Sequence, residues 1–150
     1  MRPVSVLILG IGLLAGCSAA EGPSSDKHWT ETTIGILTPL TDETPSADRG
    51  LELFSTRSDA HCVLCHQHER ANAESQGNLG PDLSNVSERL SEAQIRVAIV
   101  DMSQNVPGAA MPPYFRHADL HQVAPEHDGQ TVLTALEIED IIAFLVDERK

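Results

Sequence analysis

Cys62-Val63-Leu64-Cys65-His66 is the most informative stretch of this 150-residue chain. Two thiols three positions apart, followed directly by an imidazole, form the pattern that covalent attachment of a c-type haem requires. The cysteines form thioethers with the haem vinyl groups, and the histidine is placed to bind the iron as an axial ligand. A dithiol redox pair and half of a zinc site also begin as C-x-x-C, but neither needs histidine at the next position. The sequence therefore predicts one covalently bound haem c on Cys62, Cys65 and His66.

The charge and cysteine content narrow the possible functions. The chain has 10 basic and 22 acidic side chains, for a formal net charge of −12. This charge argues against binding to nucleic acid, which needs a basic face, and favours partners with basic docking surfaces. The three cysteines are Cys17, Cys62 and Cys65, so a disulfide scaffold is excluded.

The N-terminus has the features of an export signal. Arg2 precedes an apolar run at residues 4–14 that is too short to span a bilayer as a helix. The run ends in Leu14-Ala15-Gly16-Cys17, which is similar to a bacterial lipobox. We expect residues 1–16 to be a lipoprotein signal peptide, with Cys17 as the lipidation site and the lipid as the membrane attachment. An ordinary secretory signal that contains Cys17 is the alternative, and both interpretations place the protein in the periplasm.

The exported chain divides into two parts. Residues 17–44 are predicted to be a tether and N-terminal extension, because Ser, Glu, Gly, Pro and Asp dominate most of this region. Trp29 and the apolar residues 34–37 are exceptions, and contact with the folded domain would explain them. Residues 45–150 are predicted to form a single monohaem domain.

Three segments have helical signals, and no alternating strand pattern is convincing, so the predicted fold is all-α. The first helix is expected at residues 48–56, where Gly50 suggests close approach of another helix. The second begins at Ser91 and the third at Thr134, each with a capping-box partner three residues later. Their apolar faces comprise Ile95, Ala98, Ile99 and Met102, and Ile138, Ile141, Ile142 and Leu145, with Phe144 beside the second face. With few aromatic residues and long polar loops, the chain is expected to use the haem as part of its core.

The second axial ligand of the haem iron decides whether the haem transfers electrons or activates a bound molecule. Met111 is the preferred candidate because it lies in a Gly-, Pro- and Ala-rich loop after the second helix, and because Met ligation suits electron transfer. For Met102, on an apolar helix face, core packing is the better explanation. His61 and His68 are too near the attachment motif to reach the opposite face of the haem. A distal histidine or an open site is the alternative, and the other histidines are His28, His117, His121 and His127, the last three in a polar stretch typical of a solvated surface.

Gly80-Pro81 also follows the motif. The carbonyl of Pro81 has no competing N–H in its own residue and could accept the second ring N–H of His66, which would fix the ring and raise its basicity. A simple turn is the alternative interpretation of Gly-Pro, and the two are compatible.

Taken together, these residues resemble class I cytochrome c. The resemblance rests on Gly50 with Phe54, the motif at 62–66, Gly80-Pro81, Met111-Pro112 and the amphipathic terminal helix. More narrowly, the chain from about Pro39 onward is similar to the small monohaem (SoxX) subunits of the thiosulfate-oxidising Sox system. The segments that carry this similarity are 77–83, 90–96, 99–101, 111–116, 123–125, 133–135 and 139–145.

The resemblance implies a class I cytochrome c fold and a periplasmic heterodimer with a SoxA-like cytochrome that carries one or two haems. It also implies a SoxYZ-like carrier, to whose cysteine thiosulfate is oxidatively coupled, and a downstream cytochrome that accepts the electrons. All three cysteines of this chain are already assigned, so no thiol is left to carry sulfur. Catalysis as an L-cysteine S-thiosulfotransferase is therefore expected on the partner subunit, and this chain is expected to relay electrons.

Two other classes stay open on the sequence. The first is a membrane-tethered monohaem cytochrome c that acts as a general periplasmic electron shuttle without a dedicated partner. The second is a haem enzyme or gas sensor, which would need an open or weakly held distal site.

Overall fold

The computed structural model describes residues 31–32, 35–58, 60–71 and 74–147. These residues form four helices and one small hairpin, so the structure is helical, as predicted. The elements are β1 (Glu31–Thr32), β2 (Gly35–Ile36), α1 (Ala47–Ser55), α2 (Cys62–Cys65), α3 (Glu92–Asp101) and α4 (Ala135–Val146). Strands β1 and β2 pair antiparallel, and short 3-10 turns lie at Val86–Glu88, Met102–Gln104 and Pro125–His127. The predicted signal peptide, Cys17, His28 and Trp29 lie outside the described residues.

Side-chain caps define where the long helices begin. The Ser91 side chain caps α3 and the Thr134 side chain caps α4, and each forms a complete capping box with the residue three positions later. Both predicted starts are confirmed. Such a cap pairs backbone N–H groups that the first turn leaves without partners, and it typically stabilises a helix by about 1 kcal/mol.

Helices α1 and α4 pack closely where Gly50 meets the backbone of α4. A Cβ atom at Gly50 would overlap the backbone oxygen of Asp140 and lie 2.9 Å from the Cβ of Phe144. The predicted close approach of another helix at Gly50 is therefore confirmed. Phe54, one turn later, has its ring centroid 5.5 Å from that of Phe144, and both side chains are buried.

The buried core combines these helices with the α2 turn. The apolar residues predicted for α4 are all buried, and Phe144 belongs to the same core. In α3, Ile95 and Ile99 are buried, whereas Ala98 and Met102 are partly exposed. The core cluster comprises Phe54, Ala60, Val63, Ala71, Val86, Ile95, Ile99, Tyr114, Leu133, Ile138, Ile141, Ile142, Phe144 and Leu145.

A buried ion pair attaches the N-terminal extension to α3 and α4. Arg96 and Glu139 form two hydrogen bonds, Nε to Oε1 at 2.7 Å and Nη2 to Oε2 at 2.8 Å. The same side chains reach the extension, since Arg96 Nη1 donates to the oxygen of Ile36 at 2.8 Å and Glu139 Oε1 accepts from the N–H of Leu40 at 2.9 Å. Ile36 is buried, as the contact expected for residues 34–37 requires, but Leu37 is exposed.

A second carboxylate of α4 fixes the start of α1. Asp140 is buried and accepts hydrogen bonds from the N–H of Ser46, the N-cap of α1, and from the guanidinium of Arg49. The adjacent acids Glu139 and Asp140 thus fix two neighbouring segments, the N-terminal extension at Leu40 and the start of α1 at Ser46. Among the described residues, no helix has the length and apolar character needed to cross a bilayer.

Candidate haem site

The attachment motif forms a tight helical turn, residues 61–66, which we call the attachment turn. It begins with His61 in the left-handed region, at φ 61°. The backbone N–H of Leu64 donates to the oxygen of His61 at 3.0 Å, and the N–H of His66 donates to the oxygen of Cys62 at 2.9 Å. This turn places both thiols on one short helix and ends with His66 in extended backbone.

A second segment, residues 77–83, runs alongside the attachment turn, and we call it the acceptor segment. The N–H of Gly77 donates to the oxygen of Val63 at 2.9 Å, and the N–H of Gly80 donates to the oxygen of Cys65 at 2.8 Å. The contact at Gly77 is so close that a Cβ atom there would overlap the backbone oxygen of Leu64. Glycine at this position therefore permits the two backbones to pack together.

The acceptor segment also holds the imidazole of His66. The Nδ1 atom of His66 lies 2.8 Å from the backbone oxygen of Pro81, so a protonated Nδ1 donates a hydrogen bond to it. A Cβ atom on Gly80 would overlap the imidazole of His66, so only glycine leaves room for the ring. With Nδ1 engaged in this way, Nε2 is the ring nitrogen available to a metal.

The thiol chemistry distinguishes among the three interpretations of the motif. Cys62 and Cys65 are not joined to each other. Burial raises the pKa of Cys62 to about 12, so this thiol stays protonated at neutral pH. A reactive redox dithiol depends on a stabilised thiolate, which the buried Cys62 does not offer. In addition, the described residues contain no group of three or more His, Cys, Asp or Glu side chains arranged to hold a metal ion.

Met111 lies in a loop whose following residues are fixed to α3 and to the segment before α4. The N–H of Tyr114 donates to the oxygen of Ile99 at 3.2 Å, and the N–H of Leu133 donates to the oxygen of Tyr114 at 3.0 Å. Met111 itself is partly buried and packs against the core cluster. Tyr114 is buried, and burial, together with the nearby Cys62 and Cys65, raises its pKa. These contacts place the Met111 loop on the same core as the attachment turn.

The other candidate ligands have different environments. His117, His121 and His127 are exposed, as expected for a polar surface stretch, and His61 is exposed too. Met102 follows α3 and is partly exposed.

His68 is a core residue, which its sequence position did not reveal. Its side chain is buried, with ring centroids 4.4 Å from Phe144 and 5.7 Å from Phe54. Burial lowers the pKa of His68, and its Nδ1 lies 3.2 Å from the N–H of Arg70. The aromatic Phe54, one residue before the end of α1, is the available signal, but nothing in the sequence links it to His68.

The donor groups at the site fit a haem c. Two free thiols on one short helix suit thioether formation. The imidazole of His66 is oriented by Pro81 and has Nε2 available for a metal, and the thioether of Met111 lies in an anchored loop on the same core. These are the groups that the C-x-x-C-H motif and a Met-ligated haem require.

Comparisons with known proteins agree with this geometry. The family model described as "Cytochrome c" matches residues 47–147. The structure is similar to a chain of SoxXA from P. pantotrophus, with a TM-score of 0.71 and 25% sequence identity, over 80% of this chain and 93% of that chain. A weaker similarity, with a TM-score of 0.43 and 24% identity, extends to the c-type cytochrome SorU from Sinorhizobium meliloti, over 67% of this chain and 86% of that chain. No curated protein sequence matches.

The family match spans most of the chain, and the predictions of a class I cytochrome c fold and a haem c cofactor are confirmed. This protein therefore belongs to the cytochrome c family, and its cofactor is a covalently bound haem c.

Proposed function

We propose that this protein is the electron-transferring monohaem subunit of a SoxXA-like complex that oxidises thiosulfate. The observation that carries the proposal is the structural similarity to SoxXA, which extends over 80% of this chain and 93% of that chain. In this role the chain accepts electrons released when thiosulfate is coupled to a cysteine of a SoxYZ-like carrier. A SoxA-like cytochrome is the partner subunit, and a further cytochrome accepts the electrons downstream.

Each residue of the site has a defined task in this proposal. Cys62 and Cys65 would hold the haem through two thioethers, and His66 would hold the iron through Nε2. The backbone oxygen of Pro81 fixes the imidazole through the 2.8 Å contact with Nδ1. When bound, the haem supplies a centre that takes up and releases single electrons.

The number of available thiols decides which subunit carries out the chemistry on sulfur. Covalent transfer of sulfur needs a free, reactive thiol, and both described cysteines belong to the attachment turn. The third, Cys17, follows the predicted signal peptide. Catalysis on sulfur is therefore assigned to the partner, and this chain relays electrons.

The partner requirement gives the direct test. In a mixture of the holoprotein, thiosulfate and the carrier, we expect the optical spectrum to show haem reduction only after the SoxA-like subunit is added. The control is the complete mixture with the SoxA-like subunit but without the carrier, in which the haem should stay oxidised. Thiosulfate oxidation by this chain alone would contradict the proposal. Equal reduction with an unrelated reductase, and no association with a SoxA-like subunit, would favour a general electron shuttle.

We assign Met111 as the second axial ligand because its loop is fixed to α3 and its side chain packs against the core that contains the attachment turn. The oxidised holoprotein should show a red charge-transfer band between methionine sulfur and iron, and Met111→Ala should lose it. Met102→Ala is the matched control, since it removes a methionine next to α3 and should keep the band. A band that persists in the Met111 variant, or disappears in the Met102 variant, would contradict the assignment of Met111 as the ligand.

The location proposed is the periplasmic face of a bacterial membrane, with Cys17 as the lipidated residue. The lipobox-like Leu14-Ala15-Gly16-Cys17 supports this, and several acyl chains on one cysteine would anchor the protein stably. We expect the wild type to partition into a detergent phase and Cys17→Ser to stay in the aqueous phase with its haem intact. An aqueous wild type would indicate an ordinary secretory signal.

A further inference from the structure

Gln76 attaches the acceptor segment to the loop that follows His66. Its Oε1 accepts a hydrogen bond from the N–H of His68 at 2.7 Å. Its Nε2 donates to the backbone oxygens of His68 at 3.2 Å and Ala71 at 2.9 Å. A glutamine amide has two N–H donors, and both are used here on backbone oxygens of a single loop.

The loop that Gln76 binds is itself fixed in the core. The ring of His68 is buried and packs against Phe144 and Phe54. Ala71 is buried as well. The amide of Gln76 is therefore attached to backbone atoms that the core already holds in place.

Gln76 directly precedes the acceptor segment, residues 77–83. At the far end of this segment the N–H of Leu83 donates to the oxygen of Gln67 at 2.9 Å. The oxygen of Pro81, which contacts Nδ1 of His66, lies between these two attachments. The position of that oxygen thus depends on these two attachments together with the backbone hydrogen bonds from Gly77 and Gly80 to the attachment turn.

We propose that Gln76 is a positioning residue for His66, which holds the Pro81 carbonyl against Nδ1 and thereby tunes the reduction potential of the haem. The inference rests on the proposed axial role of His66. A hydrogen bond from Nδ1 raises the basicity of the imidazole, and a more basic axial ligand favours oxidised iron. Loosening the acceptor segment should therefore raise the reduction potential.

Two variants of the holoprotein test this, Gln76→Ala and Gln76→Glu. The alanine removes all three hydrogen bonds. The glutamate keeps the shape of the side chain but turns a carboxylate oxygen, instead of an N–H donor, toward the oxygens of His68 and Ala71. We expect both variants to have a higher reduction potential in a spectroelectrochemical titration. We also expect the Nδ1 proton of His66 to exchange with solvent about tenfold faster in the reduced protein, followed by nuclear magnetic resonance.

Thr134→Ala is the matched control, because it removes the cap of α4 and lowers stability without contacting the acceptor segment. Its potential and its His66 exchange rate should match those of the wild type. If the Gln76 variants also match the wild type while His66 still binds the iron, the inference is wrong. If His66 does not bind the iron in the wild type, both the proposed axial role and this inference are wrong. Should the alanine variant fail to accumulate, the glutamate variant carries the same test.

Discussion

Replacing Cys62 and Cys65 together by alanine is expected to leave the chain largely unfolded. The chain has three Phe, one Tyr and one Trp, so it contains few of the large side chains that dominate most cores. Several apolar side chains that pack against the core cluster are only partly buried, among them Leu83, Leu90 and Met111. The haem adds a large apolar surface to this core, and a chain without its two attachment points loses that contribution. Folding and haem attachment are then coupled, as metal binding and folding are in small metalloproteins.

Far-ultraviolet circular dichroism and thermal unfolding provide the measurement. The double variant should show little helical signal and no cooperative transition, whereas the holoprotein should show both. Cys17→Ser is the matched control, because it also removes a thiol but leaves the attachment turn intact, and it should fold like the wild type. A double variant with a native-like helical spectrum and a cooperative transition would mean that the protein core is sufficient alone.

The features that local sequence could predict are those whose partners lie within a few residues. The caps of α3 and α4 are examples, because Ser91 with Gln94 and Thr134 with Glu137 each form a closed local unit. Gly50 was predictable for a related reason, since a glycine in a helix costs stability and so usually has a packing role. The attachment motif belongs to the same group, because its chemistry is contained in five adjacent residues.

The features that the sequence did not reveal depend on partners far apart along the chain. Arg96 and Glu139 are 43 residues apart along the chain. In the sequence, each has the pattern of an ordinary charged residue on a helix. The burial of His68 depends on Phe54 and Phe144, which come from different helices. Gln76 is a single polar residue in a loop, and only the structure shows that its amide binds the backbone of the His68–Ala71 loop that follows His66. Long-range pairs of this kind need the fold before they can be recognised.

The buried pair Arg96 and Glu139 provides the second large effect. Arg96→Met should lower the free energy of unfolding of the holoprotein by about 3–5 kcal/mol, because it leaves the carboxylate of Glu139 buried without its partner. Glu139→Leu should cost somewhat less, since the buried guanidinium keeps the carboxylate of Glu92, 4.0 Å away, and the oxygen of Ile36. Only 3% of the Arg96 side chain and 6% of the Glu139 side chain are exposed, so water can replace neither partner.

The double variant Arg96→Met with Glu139→Leu separates the effect of the ion pair from the attachment of the N-terminal extension. Without either charge of this pair, it should be more stable than the sum of the single losses implies. It should still be less stable than the wild type, because the oxygen of Ile36 and the N–H of Leu40 lose their partners on α3 and α4. The N-terminal extension should then detach, and limited proteolysis should cut residues 35–40 faster in the double variant than in the wild type.

Urea unfolding of the wild type, both single variants and the double variant measures this cycle. Arg49→Met is the matched control, since it also removes an arginine bound to an α4 carboxylate, but 51% of the Arg49 side chain is exposed and the N–H of Ser46 still binds Asp140. We expect a smaller loss there, because an exposed partner contributes less. Single losses that simply add in the double variant would show that the two charges act independently. In that case the attachment of the extension would depend on Ile36 burial rather than on the ion pair.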